Sequence, residues 1–343
     1  MSGMSEQEAM LSILRELPEG FLDAPASEFH HVLRGPSLIH LPGREPAPLF
    51  VSALLHGNED VGVRALQAVL RKHARQGLPR ALSIFIGNVA AARHGLRRLD
   101  GQPDFNRVWP GADTDGLPEH LMAAAVVDEM RERRPFASID IHNNTGLNPH
   151  YSCVTHLGPR FLHLARLFGR TMVFFTRPKG VQAWAFGEFC PAVAVECGKP
   201  GSASGEEHAA EFVDAVLNLH ELPDRPLPPH EVDLYHTVGI VRVPPDVEFS
   251  FNGDAVDVQF DAGLEYLNFR EVPPGTAFGR VNGRSDVPVQ VVGEDDRPMA
   301  DRYFEVRNER LLTRAPFVPA MLTLDARVIR QDCLCYVMER LNI

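Results

Sequence analysis

The run Pro48 to Leu55 (PLFVSALL) is short and apolar, and it breaks into His56-Gly57-Asn58-Glu59. A run of that length ending at Gly-Asn reads as a buried strand that leaves the sheet in a turn. Just beyond it, Val63, Leu66 and Leu70 recur at helical spacing, so 61–76 reads as a helix. The alternation then repeats. Residues 81–87 (ALSIFIG), 136–142 (FASIDIH), 151–157, 171–176 (TMVFFT) and 192–197 (AVAVEC) read as strands, with helices over 118–133, 161–168 and 206–221. Strands alternating with helices predict an α/β layer built on a mostly parallel or mixed sheet.

Before this pattern, residues 1–47 predict a short amphipathic helix and then Pro/Gly-rich connections. After it, Leu222–Pro229 (LPDRPLPP) reads as a linker. The runs beyond are short and alternating, split by Gly-Asp, Pro-Pro-Gly and Asn-Gly, with no long helix. Two domains are therefore expected: an α/β catalytic domain over 1–225 and a β-rich domain over 226–343.

Composition narrows the function classes. With 44% hydrophobic and 23% charged residues in 343, the chain has ample material for a core. A net charge of −11 argues against a nucleic-acid partner, which calls for a basic face. The first residues lack a basic segment and a sustained apolar core, and no window approaches a membrane span, so neither a secretory signal nor a membrane partner is expected. Five cysteines without a CxxC pair point to reduced thiols in the cytoplasm.

The polar residues at the strand ends carry the chemistry. His56 and Glu59, at i and i+3 on a strand-to-helix turn, can converge on one cation. Asp140-Ile141-His142 places a second imidazole at the end of another buried strand. Alternation puts Asp140 on the same face as His142, either behind its second ring nitrogen or bonded to a neighbouring loop. Two imidazoles and a carboxylate form the ligand set of a catalytic zinc with a position open for water. Zinc suits these donors, although another divalent metal remains open. Glu196, flanked by valines at the end of an apolar strand, belongs in a cleft, where partial burial would raise its pKa and equip it as a general base. The irregular stretch 93–111 adds Arg97, Arg98 and Arg107, cations able to grip a carboxylate or to stabilise an oxyanion.

Taken together, His56-Gly57-Asn58-Glu59, Asp104-Phe105-Asn106-Arg107 leading to Pro110-Gly111, Asp140-Ile141-His142-Asn143 and Glu196 resemble the succinylglutamate desuccinylase/aspartoacylase family. The resemblance covers about residues 45–220. It implies a carboxypeptidase-like fold, a mixed eight-stranded sheet flanked by helices. It implies one zinc per chain held by His56, Glu59 and His142, with Glu196 as general base. Asn106 and Arg107 match the pair that grips a substrate carboxylate, and Arg98 the arginine that polarises the carbonyl. Arg98 lies one residue farther from the Asp-Phe-Asn-Arg motif than the family pattern expects, so Arg97 is its rival.

The implied reaction is hydrolysis of the amide bond of an N-acyl amino acid. Two alternatives share the same residues: a zinc carboxypeptidase acting on short peptides with a free carboxylate, and a silent carboxylate-binding module. A homo-oligomer is left open.

Overall fold

The computed structural model describes residues 11–112, 116–253, 256–283 and 285–342. They divide into two compact units. The first comprises residues up to 143, then 150–174 and 178–232; the second comprises 144–149, 175–177 and everything from 233 onward.

The first unit is built in chain order from β1 (Ser12–Leu14), β2 (Ser37–Leu41), β3 (Gly43–Ala53), α1 (Val61–His73), β4 (Leu78–Ile86), α2 (Pro118–Arg133) and β5 (Ala137–His142). It continues through β6 (Tyr151–Val154), α3 (Pro159–Phe168), β7 (Thr171–Phe174), α4 (Gln182–Gly187), β8 (Ala192–Glu196) and α5 (Ala203–Leu217). Across the sheet the strands run β1-β2-β4-β3-β5-β8-β6-β7. The centre, β4-β3-β5-β8, is parallel, whereas β2 pairs with β4 and β6 with β8 in antiparallel sense. Mixed strand direction and helical crossovers agree with the α/β expectation.

The first forty-odd residues differ from their reading. The expected N-terminal helix falls partly on residues 1–10, outside the described residues, and Ser12–Leu14 form a strand rather than a helix. Ser37–Leu41 sit between Gly-Pro and Pro-Gly and read as a connection, yet they pair residue for residue with β4 from Ile86 back to Leu82. A five-residue run becomes a strand here because a neighbour supplies its hydrogen bonds, which no local signal reports.

Helices cover both faces of the sheet. On one, Met122, Val126 and Met130 of α2 pack into a core with Phe50, Phe85, Trp109 and Phe186. Phe186 stacks on Phe50 at 4.2 Å between ring centroids, and Trp109 meets Phe85 edge-on at 5.6 Å. On the other, α1 lies so close that a Cβ at Gly62 would come within 2.7 Å of the Ala53 Cβ. Only glycine permits that approach. No helix among the described residues is long and apolar enough to cross a membrane.

The second unit is β-rich. β9 (Asp233–Arg242) pairs antiparallel with both Gln290–Gly293 and Cys335–Arg340, and the last also pairs with Val318–Ala320. A separate five-stranded sheet holds Phe249–Ser250, Val258–Phe260, Ala277–Val281, Phe304–Arg307 and Arg310–Thr313. Phe260, Phe278, Tyr303, Phe304, Phe317 and Leu334 form its core. The longest helix described there is the six-residue Ala326–Gln331.

Candidate metal centre

Three adjacent parallel strands, β3, β5 and β8, finish side by side and deliver the polar residues at their C-terminal ends. In open α/β sheets this is where ligands bind. His142 closes β5 and Glu196 closes β8, and the two are Cα partners across the ladder. In a parallel register such partners project to the same face.

His56 and Glu59 follow β3 through a sharp exit. Leu54 takes a left-handed φ of 59°, uncommon for a residue with a Cβ and costing about 1–3 kcal/mol. Its carbonyl still accepts from Asn88 N, so the sheet holds the kink in place. The turn closes with Glu59 N donating to the His56 carbonyl at 3.1 Å. Gly57 N donates to the Arg97 carbonyl at 3.1 Å, and a Cβ on Gly57 would meet Ala92 N at 2.2 Å. Glycine is thus required between His56 and Glu59, and the contact brings the arginine loop to the turn.

The result is a buried cluster. His56, Glu59 and His142 are 4%, 5% and 3% exposed. One donor atom from each lies within 4.8 Å of the other two. His56 Nδ1 approaches Glu59 Oε1 at 2.8 Å, and His142 Nδ1 approaches Glu59 Oε2 at 2.9 Å. The other ring nitrogens are held by carboxylates: His56 Nε2 by Asp104 Oδ1 at 2.9 Å and His142 Nε2 by Asp140 Oδ2 at 2.7 Å. Ser52 Oγ steadies Asp140 from behind, donating to its Oδ1 at 2.7 Å.

These donors fit a zinc ion. With each Nε2–H given to a carboxylate, each Nδ1 carries the lone pair that a metal requires, and both Nδ1 atoms face one carboxylate. A lone pair opposite a carboxylate oxygen is repulsive unless a positive charge lies between them. The surrounding charges favour positive charge there. Burial opposes charge on His142, but Asp140 and Glu59 outweigh it and push its pKa well up. Burial and Arg97 oppose charge on His56, yet Glu59 and Asp104 still raise it. Burial alone would raise the Glu59 pKa, and the two histidines instead hold it far below the usual carboxylate range. The electrostatics of the cluster thus favour positive charge at the convergence of two nitrogens and an oxygen.

A second trio of donors, Glu28, His30 and His31, is of another kind. It lies toward solvent, with Glu28 paired to His31 at 3.3 Å and His30 bonded to the Ser27 carbonyl.

A family model for the succinylglutamate desuccinylase/aspartoacylase catalytic domain matches residues 47–222, just over half of the chain. The chain belongs to this family. The match spans both halves of the cluster, from the His56–Glu59 turn to Glu196. No curated protein sequence matches the chain significantly. Solved structures do. Succinylglutamate desuccinylase from Chromobacterium violaceum is 16% identical with a TM-score of 0.55, covering 87% of this chain and 86% of that one. Murine aminoacylase 3 is 16% identical with a TM-score of 0.57, covering 88% and 98%. The product-bound ectoine utilization protein of Ruegeria pomeroyi is 14% identical with a TM-score of 0.55, covering 89% and 88%. At such identities the likeness is one of fold, and it extends over the greater part of each chain.

The remaining residues expected from the family pattern are distributed unevenly around the cluster. Arg97, not Arg98, enters it: Arg97 Nη2 donates to Asp104 Oδ2 at 3.0 Å, and its Nη1 lies 3.6 Å from Glu59 Oε1. Arg98 turns to its own loop and donates to the Gln102 carbonyl at 2.7 Å. Asn106 reaches the cluster, with Nδ2 3.2 Å from His142 Nε2, while its Oδ1 accepts from Gln182 N at 3.1 Å. Arg107 donates to the Asn106 carbonyl at 2.8 Å, and its charge is felt by Asp104.

Asp104 received no role in the sequence reading. Burial pushes its pKa up, but His56 and Arg97 more than reverse this and hold it ionised. The signal that could have found it was chemical: once His142 had Asp140 behind it, His56 needed a carboxylate too.

Proposed function

We propose that the chain is a zinc-dependent deacylase that hydrolyses the amide bond of an N-acyl amino acid. The observation that carries this reading is the buried His56–Glu59–His142 cluster with Glu196 in register beside His142. Membership of a family named for succinylglutamate desuccinylase and aspartoacylase supports the substrate class. One zinc, held by His56 Nδ1, Glu59 and His142 Nδ1, would acidify a water and polarise the acyl carbonyl.

The chain's own groups do the rest. Glu196 takes the proton from the attacking water and returns it to the leaving amine. Arg97, rather than Arg98, stabilises the oxyanion, a role supported by its guanidinium standing 3.6 Å from Glu59. Asn106 and Arg107 hold the substrate carboxylate, Arg107 through paired N–H donors. Asp104 and Asp140 keep both ligand imidazoles in the tautomer that binds metal. The five free cysteines suit a cytoplasmic setting.

The decisive variant is Glu196→Gln. It should retain one zinc per chain by elemental analysis while losing turnover of N-acyl amino acids by at least about a hundredfold, the scale of a lost general base. Undiminished turnover would remove Glu196 from the mechanism. Assaying the zinc-loaded wild type against N-acyl amino acids and short peptides side by side tests the substrate class. Cleavage of peptides alone would make the chain a carboxypeptidase.

A further inference from the structure

Asn143 follows the ligand His142 and is buried, 3% exposed. Its hydrogen bonds reach three separate elements. Its backbone N donates to Glu59 Oε2 at 3.3 Å. Its side-chain Oδ1 accepts from Val61 N at 3.2 Å, at the first residue of α1. Its Nδ2 donates to the Gly198 carbonyl at 2.9 Å, two residues past Glu196.

The two side-chain contacts serve backbone groups of other elements. The first N–H groups of a helix have no partner within it, and a nearby side chain ordinarily supplies one. Asp60 occupies the cap position of α1 but makes no side-chain cap, and an asparagine just past the end of β5 serves Val61 instead. Gly198 takes a left-handed φ of 77° as the chain leaves β8, and the Asn143 amide holds that turn. Val61 and Gly198 are both buried, so neither group has water to fall back on.

We propose that Asn143 is the positioning residue that joins the three strand ends into one site. Its side chain fixes the start of α1, two residues past the carboxylate ligand Glu59, and the turn after Glu196 to the end of β5, and so sets the separation between metal and base. This rests on the reading of the cluster as a metal-hydrolase centre. The role needs a donor and an acceptor on one short planar head. Alanine offers neither. Aspartate keeps the acceptor but turns a carboxylate oxygen toward the Gly198 carbonyl and adds negative charge beside Glu59.

The test uses the full-length chain and metals alone. Zinc affinity is measured by competition with a chromophoric chelator, and the visible spectrum of the Co2+-loaded protein reports the geometry of the ligands. Asn143→Ala and Asn143→Asp should weaken zinc binding about 10–100-fold, the range found when groups supporting metal ligands are removed. Their Co2+ bands should shift in position or intensity. If Asn143→Ala does not fold, Asn143→Ser, measured below its unfolding temperature, takes its place with the same expectation. A variant that melts earlier while its zinc affinity and Co2+ spectrum match the wild type would overturn the proposal and leave Asn143 as a packing residue. A wild-type chain that takes up neither metal would overturn the metal-centre reading itself, and with it this one.

Discussion

Arg97 and Arg98 are adjacent in sequence, yet they face different surroundings. The first pairs with Asp104 and lies 3.6 Å from Glu59; the second holds its own loop through the Gln102 carbonyl. Arg97→Ala should therefore lower kcat about a hundredfold or more, as the loss of an oxyanion donor does, while Arg98→Ala should change it only a few-fold. Steady-state kinetics of the two variants on the same N-acyl amino acid decide the matter, and the reverse ranking would return the role to Arg98. The ambiguity was inherent in the sequence, because neighbouring residues on an irregular loop carry no periodicity that fixes direction. What sets it here is tertiary, the bond from Gly57 N to the Arg97 carbonyl. By contrast the meeting of His56, Glu59 and His142 was legible, since the two histidines close apolar runs and Glu59 follows one of them on the same turn. Asp104 was not: it meets His56 across 48 residues of chain, and nothing in its immediate surroundings announces that partner.

At the scale of elements, buried strands and amphipathic helices were the most readable, and α2 spans the expected 118–133. Strand β2 was the least so, and it also carries an ionisable group with a consequence of its own. His40 is 7% exposed, with Nδ1 2.9 Å from Ser83 Oγ on β4 and Nε2 3.4 Å from Glu129 on α2. Burial lowers its pKa to about 4, aided by Arg133 and Arg15 and opposed by Glu129. Above the ordinary histidine pKa, near 6.5, His40 is neutral whether the chain is folded or not. Between about 6.5 and 4 the unfolded chain binds a proton that the folded chain refuses, so stability falls as pH falls through that window. The loss levels off below it, at about 3 kcal/mol. Urea unfolding between pH 7.5 and 4, with chelator present to keep metal-linked protons out of the balance, should show a shallower decline for His40→Gln than for the wild type. Parallel curves would mean that His40 titrates normally.

On the scale of the whole molecule, the proposed chemical residues gather in one unit. All three proposed ligands, Glu196 and both supporting aspartates belong to the first unit, and the family match ends at residue 222, before the long C-terminal part of the β-rich unit starts at 233. That the second unit would be β-rich was legible from its short alternating runs. How its strands sort into sheets was not, because β9 draws its partners from 290–293 and 335–340, tens of residues away. A metal bound by residues from separate strand ends holds those ends together only in the folded state, so zinc should stabilise the fold by mass action. At a free zinc concentration a hundred times its Kd the gain is about 2.7 kcal/mol. For a chain of this size that raises Tm by several degrees. Calorimetry of the wild type in zinc buffer and in excess chelator should show this rise, and His56→Ala should lose most of it while keeping the chelator-treated Tm close to that of the wild type. Because the proposed ligands come from the end of β5 and the turn between β3 and α1, the transition that moves should be the one in which the α/β sheet unfolds, seen as loss of far-ultraviolet helical signal. Superimposable scans with and without zinc would show that these three side chains do not hold a metal in the folded chain, and the deacylase reading would fall with them.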